Sequence, residues 1–299
     1  MNHASPPFAF AVGVLGIALF SGMDALMKLL TLALSTYNAL FWRFLAGVVI
    51  AGIVYFAMRP VKPSRAAMRL HLIRGVVAAV MAFLFFWGLA RVPMAQAIAL
   101  SYIAPLLAQF LAAVLLKEKL SGTAIGASLV ASAGVGVILI GQTQAKLGEA
   151  AFLGALAILA SAVCYAWNII LMRQQSLVAK PAEVTFYQTL VVVAVFALFA
   201  PWLAVVPPLS DAPMIVAAAV LAILSLGLLS WAYARAQANY LAPTEYTSIV
   251  WAAMFGWLIF GEHVSLYTVG GAALIVGGCL LAARGKPAPM AHEAEAALP

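Results

Sequence analysis

Six intervals of the chain, 92–116, 120–145, 150–172, 184–210, 212–234 and 264–283, contain no Lys, Arg, Asp or Glu. A helix crosses the ~30 Å hydrocarbon core of a bilayer with roughly 20 apolar residues, and each interval reaches that length. Four further apolar runs, at about 8–33, 38–58, 72–90 and 243–261, are shorter or interrupted by a charge. Barrel strands alternate in polarity, whereas these runs are uniformly apolar and too long for strands, so helices are the assignment. The expectation is an all-α integral membrane protein with ten transmembrane helices. Composition agrees, because 66% of the residues are hydrophobic and only 8% charged, against roughly 25% charged in soluble domains. A soluble globular fold is excluded, and the lipid bilayer is the expected surrounding.

The net charge of +7 does not mark a nucleic-acid partner, since the basic residues fall in short loops and form no single stripe. They set the topology instead. With a cytoplasmic N-terminus, the inner loops and span ends hold Arg59, Lys62, Arg65, Arg69, Arg74, Lys117, Lys119, Arg173, Lys180, Arg235, Arg284 and Lys286, twelve of the sixteen Lys and Arg residues. Lys28, Arg43, Arg91 and Lys146 fall in or near the outer halves. The bias places both termini in the cytoplasm. The first run lacks a basic leader region and carries Asp24 and Lys28 after its apolar part, so it reads as a retained span. Cys164 and Cys279 lie inside apolar runs and suggest neither a disulfide framework nor a metal site.

Sliding the sequence on itself by 144 residues pairs Trp87 with Trp231, Arg91 with Arg235, Tyr102 with Tyr246 and Glu118 with Glu262. Ser121/Ser265, Gly126/Gly270 and Gly134/Gly278 fall in the same register. Chance matches in such a chain would be Ala, Leu and Val, so coincident Trp, Arg, Tyr and Glu mark a duplication. Five spans per half is an odd number, so the second half enters the membrane from the opposite side. Two inverted five-helix repeats are expected, residues 1–143 and 144–285, followed by a disordered cytoplasmic tail, 286–299. This plan recurs in secondary transporters, whose site near the midplane opens alternately to either face. A duplicated scaffold without transport is the alternative.

The segment Lys117-Glu118-Lys119-Leu120-Ser121, followed by Gly126 and Gly134, resembles the junction of the fourth and fifth spans in EamA-type members of the drug/metabolite transporter superfamily. Gly261-Glu262-His263-Val264-Ser265 with Gly270, Gly271, Gly277 and Gly278 resembles the same junction in the second half. Within that superfamily the overall pattern is most similar to the amino acid exporters, the aromatic ones included. The resemblance implies an exporter in the bacterial inner membrane. Read from the residues alone, Ser121 and Ser265 are placed to cap the following helices, and Gly126, Gly134, Gly270 and Gly278 allow close helix approach. Glu118 and Glu262 tie the tight turns to neighbouring groups, or act as a gate or proton site.

Polar groups inside spans are costly unless paired or facing water, which makes each a candidate for the substrate path. Asp24 and Lys28 are four residues apart and can pair on one helix face. Arg43, in Phe41-Trp42-Arg43-Phe44, aligns with Gln188 at a shift of 145, and serves either as a site residue or as an interface anchor. Ser161, Tyr165, Asn168 and Met172 share one helix face, as do Ile98, Tyr102, Pro105 and Gln109. Pro105 should loosen the backbone ladder there. Symmetry would set Tyr102 and Tyr246 at similar depths on opposite sides of a central cavity. The candidate substrate-binding set is therefore Asp24, Arg43, Tyr102, Tyr165, Asn168, Gln188 and Tyr246. Trp87 with Arg91 and Trp231 with Arg235, at span ends, read as interfacial anchors.

An exporter of small amphipathic metabolites, first among them amino acids with aromatic or large apolar side chains, is the expected function. Other metabolites or drugs are the alternative cargo. An enzyme is disfavoured because His3, His71, His263 and His292 lie in tails or at span ends, without a His-Glu-x-x-His or nucleophile motif. A channel is disfavoured because no filter loop or ring of like charges interrupts the spans. No cofactor or metal is expected, the partner is a small-molecule substrate, and the sequence leaves monomer and homodimer equally open.

Overall fold

The computed structural model describes residues 6–58, 62–116, 122–144, 148–236 and 238–283. Glu118, Ser121 and the tail 286–299, singled out above, lie outside these residues. Among the described residues thirteen α-helices follow one another: α1 Pro6–Leu34, α2 Thr36–Ala57, α3 Arg65–Leu89, α4 Met94–Ser101, α5 Ala104–Leu116, α6 Gly122–Gln144, α7 Gly148–Ser176, α8 Pro181–Ala197, α9 Ala200–Leu203, α10 Ala212–Tyr233, α11 Ala238–Tyr246, α12 Ser248–Phe260 and α13 Leu266–Ala283. No strand occurs among the described residues. Segments Pro7–Leu34, Thr36–Ala57, Arg65–Leu89, Gly148–Met172 and Leu209–Tyr233 are each long and apolar enough to cross a membrane, and shorter apolar helices accompany them. Leu32, Val49, Ile53, Leu129 and Val250 are exposed on the outside of the bundle, which is the distribution that a lipid environment stabilises.

Two of the apolar runs are broken in the middle, and the breaks share one register. The first separates α4 from α5 at Tyr102 and Ile103, and the second separates α11 from α12 at Thr247, directly after Tyr246. Pro105 accounts for the first, since its ring would collide with the carbonyl of Ser101 four residues back in a continuous helix. Pro243 inside α11 weakens the ladder ahead of the second break in the same way.

Equivalent helices of the two halves pack against each other in pairs. Gly134 of α6 approaches Gly271 of α13 so closely that a Cβ on either would lie 2.6 Å from the other's carbonyl oxygen, and Gly141 further along α6 lies against Tyr267, earlier in α13. On α2 and α8, Phe44 stacks with Phe196 at 6.4 Å and Tyr55 with Phe186 at 4.8 Å. Both pairs therefore run antiparallel. A two-fold axis that exchanges antiparallel helices must lie across them, so the two halves are inverted with respect to each other. Three further seams obey the exchange: α1 packs on α10 as α7 packs on α3, α2 on α10 as α8 on α3, and α1 on α12 as α7 on α5. Of the glycines expected to permit close approach, Gly134 does so, whereas Gly126 and Gly270 face open space and Gly271 takes the contact in place of Gly270. A small residue works only on the face that meets a helix, and heptad-free spacing does not reveal that face.

Candidate functional site

The second Glu-x-x-Ser junction is a helix stop followed by a helix start. Gly261 sits in the left-handed region at φ 65°, its N–H donates to the Trp257 carbonyl at 3.1 Å, and Glu262 N–H donates to the Gly256 carbonyl at 3.0 Å. This glycine-terminated turn satisfies the last carbonyls of α12. Ser265 then caps α13, its Oγ accepting from Thr268 N–H at 3.1 Å, as the sequence predicts. Between the two, the Glu262 carboxylate reaches across the bundle. One oxygen accepts from Met94 N–H at 2.7 Å, at the start of α4, and the other accepts from Lys28 Nζ of α1. Lys28 also donates to the Val92 carbonyl at 2.7 Å and lies 4.9 Å from the Phe260 ring centroid. The expected Lys28–Asp24 pair does not form. Lys28 is taken by a carboxylate 234 residues away, because only that group combines charge with a geometry that also serves the α4 N-terminus.

Asp24 lies on α1 and Arg43 on the neighbouring α2, and among the described residues no ion pair within 4 Å joins them. Asp24 is buried at 1% exposure, and its Oδ1 accepts no hydrogen bond from the described residues. Arg43 is half-buried, with its guanidinium over the Phe44 ring. The fold sets these two candidate residues on neighbouring helices.

Tyr102 and Tyr246 are also brought together, though not across a cavity. Their rings meet edge to face at 5.5 Å. Tyr102 Oη donates to the Glu245 carbonyl at 3.1 Å and lies 2.5 Å from Ser248 Oγ, while Cys279 Sγ donates to the Tyr102 carbonyl at 3.2 Å. The two broken runs are therefore stitched to each other at their breaks. The expectation of opposed walls fails because each tyrosine sits at the break itself, where the crossing helices approach most closely.

The polar face of α7 is a packing seam. Ser161 is buried and donates to the Met81 carbonyl at 2.9 Å. Asn168, 5% exposed, accepts from Arg74 Nε at 3.0 Å. Arg74 donates onward to Gln175 at 2.6 Å, Gln175 lies 2.5 Å from His71 Nδ1, and His71 Nε2 lies 3.0 Å from Glu183. Buried Asn needs a partner, and a guanidinium on the facing helix supplies it. Asn168 thus belongs to a buried network joining α3, α7 and α8, in place of the open wall expected for it. Sequence reasoning missed this network, since Arg74 reads as an inner topology charge and His71 as a span-end residue. Tyr165 is half-buried beside Leu107 and Ala108 of α5, and Gln188 is half-buried on α8. The side chain of Gln109 lies outside the described residues. Trp87–Arg91 and Trp231–Arg235 repeat one geometry, guanidinium over indole at 3.6 and 4.2 Å.

The two ends of the bundle differ. At the end holding Glu262, the half-helices α4 and α12 pack on each other. At the end holding His71, their counterparts α5 and α11 share no comparable contact among the described residues, and α5 packs on α7. A bundle of two inverted halves, with broken helices at its centre, defines a membrane transporter of inverted-repeat type. Residues 8–140 and 152–284 each match the EamA-like transporter family, 144 residues apart, and the chain belongs to that family. It is 29% identical to the pseudopaline exporter CntI of Pseudomonas aeruginosa over 92% of this chain and 95% of that protein. It is 25% identical to an S-adenosylmethionine uptake transporter of Rickettsia bellii (92% and 94% covered) and 28% identical to a riboflavin transporter of Rhizobium johnstonii (96% of each). A solved crystal structure with 24% identity superposes with a TM-score of 0.58, covering 93% of this chain and 98% of that one. None of the three relatives is named for an aromatic amino acid, so the family is supported and that finer resemblance is not.

Proposed function

We propose that the protein is a secondary transporter of ten spans that exports small zwitterionic metabolites by alternating access. Counting α4 with α5, α8 with α9 and α11 with α12 as single crossings gives the ten, in repeats 1–143 and 144–285. Lys62, Arg65, Arg69, Lys180 and Arg235 fall at the His71 end, which the positive-inside bias makes cytoplasmic, with both termini on that side. The α4–α12 contact then lies on the outer side, opposite the face from which an exporter loads.

The observation that carries the substrate class is the buried Asp24 carboxylate of α1, one oxygen of which accepts no hydrogen bond among the described residues, with Arg43 on the neighbouring α2. An ammonium on Asp24 and a carboxylate on Arg43 would complete both groups, and a zwitterion brings no net charge into the low-dielectric interior. Tyr102, Tyr246, Tyr165 and Gln188 supply apolar faces and hydrogen-bonding groups beside it, and Asn168 acts from behind through Arg74. Amino acids with aromatic or large apolar side chains are the simplest such cargo. A sugar phosphate would call for converging cations, whereas Lys28 is already committed to Glu262. Liposomes containing the protein, loaded with labelled tryptophan, phenylalanine, threonine or a sugar phosphate, decide between them. Efflux of amino acids that falls at least tenfold in Asp24→Asn supports the reading. Movement of the phosphate alone, or no amino acid flux from folded protein, refutes it.

A further inference from the structure

The two ends of the bundle carry different closing chemistry. The Glu262 end is fastened by a charge-assisted clamp in which one carboxylate holds the ammonium of Lys28 and the first N–H of α4, while Lys28 also holds the Val92 carbonyl. Side chains of Lys28 and Glu262 are 5% and 17% exposed, so the pair is screened from water and its attraction is stronger than that of a surface ion pair. Gly256 makes the fit possible, since a Cβ there would lie 2.7 Å from Glu262 Oε2. Two helices and a turn are joined by it, α1, α4 and the α12–α13 turn, drawn from both halves of the chain.

The 144-residue register puts Met172 of α7 where α1 has Lys28. Met172 is buried and carries no charge. A duplicated bundle that could close identically at either end therefore has a cation for the clamp at one end and a thioether at the other.

We propose that Lys28–Glu262 is a one-sided latch that sets the resting state of the transporter: closure of the Glu262 end is held by this ion pair, the register mate of Lys28 at the other end is the uncharged Met172, and the protein waits closed at the Glu262 end. The packing of α4 on α12 is the state this latch selects. Moving to the opposite state requires the ammonium, the carboxylate, Met94 N–H and the Val92 carbonyl to be exposed together. Loss of the charge on either side chain shifts the population toward that state, because only one of the two states contains the contact. The latch rests on the alternating-access reading, but not on which face is cytoplasmic.

Maleimide labelling of purified protein in lipid nanodiscs, where both faces meet the reagent, tests it. In a background lacking Cys164 and Cys279, one reporter is Ala253→Cys, which lines the crevice beside Glu262 with Pro93 and Ala95. The other is Leu107→Cys on α5. Lys28→Met and Glu262→Gln are each expected to speed labelling at 253 roughly tenfold and to slow it at 107, since one tenfold change in population needs only about 1.4 kcal/mol. Lys28→Arg, which keeps the charge, should stay near the parent. Glu262→Gln retains an acceptor for Met94 N–H and guards against a variant that merely fails to fold. Unchanged labelling at both reporters in folded Glu262→Gln overturns the latch, as does equal acceleration at both, which would indicate loosening. Transport by the parent protein in liposomes is measured beside it. Flux with unchanged labelling removes the latch and leaves the transporter reading, whereas shifted labelling without flux of any solute does the reverse.

Discussion

Replacing Asn168 by Ala separates a brace from a substrate contact. The substitution removes the oxygen that accepts from Arg74 Nε at 3.0 Å, with both residues buried. A hydrogen bond to a charged group contributes about 1.5–3 kcal/mol, and a buried donor left without an acceptor adds its own desolvation cost. Arg74 keeps Gln175 at 2.6 Å, so the guanidinium is not stripped bare. The loss should sit near 2 kcal/mol, which is roughly 30-fold in the unfolding equilibrium. Asn168→Asp offers Arg74 a carboxylate in the same place and should retain most of the stability. Unfolding can be followed in mixed micelles by the fluorescence of the seven tryptophans, and uptake in liposomes divides KM from maximal rate. The expected outcome is a destabilised Asn168→Ala with KM unchanged, beside a near-normal Asn168→Asp. A fully stable Asn168→Ala with a KM raised manyfold would return Asn168 to the substrate wall. Equal destabilisation by Ala and Asp would show that the Arg74 contact is not what matters.

Gly134→Val puts carbon 2.6 Å from the Gly271 carbonyl, where about 3.5 Å is comfortable, and should cost about 1–3 kcal/mol, read as a lower unfolding midpoint; an unchanged midpoint would mean that α6 and α13 pack less tightly than described. Trp231→Ala removes the ring under Arg235 and beside Phe8, with an expected loss of roughly 0.5–2 kcal/mol and little change in KM. Tyr102→Phe keeps the ring contact with Tyr246 but loses the bonds to Glu245 and Ser248. It should alter the maximal rate more than KM, and a selective rise in KM would instead place that hydroxyl on the substrate.

The apolar intervals and the 144-residue register made the helical character and the duplication legible, because lipid solvation acts on every residue of a span and leaves a long, uniform trace. A local rule also applies where the physics is local, as at the Ser265 cap. Partner choice was not legible. Spacing alone assigns Lys28 to Asp24, four residues away, while the fold offers Glu262 from 234 residues further on. Arg74 looks like a loop charge by position, yet it is 2% exposed, since its place in the seam depends on α7 facing α3. The stripe Ser161, Asn168 and Met172 was visible as a polar face, but periodicity cannot say whether such a face meets a cavity or a helix.

Comparison of register mates suggests what each half has kept. The α1–α10 and α3–α7 seams are equivalent, and each carries one serine bonded to the facing backbone: Ser225 donates to the Gly16 carbonyl, and Ser161 to that of Met81. The two serines are not mates, for Ser225 aligns with Met81 and Ser161 with Ile17. The same seam is thus fastened from opposite sides in the two halves, so what the duplication preserves is the contact and not the residue. Beyond the seams the halves diverge where states are distinguished. Arg74 and Gln175 align with Ala218 and Thr31, and Lys28 with Met172, so the His71 end has a buried network tying α3, α7 and α8 while the Glu262 end has the ion pair tying α1, α4 and the α12–α13 turn. A symmetric bundle would hold its two states at equal energy. Placing different polar groups at the two ends removes that degeneracy without disturbing the apolar seams that hold the two halves together.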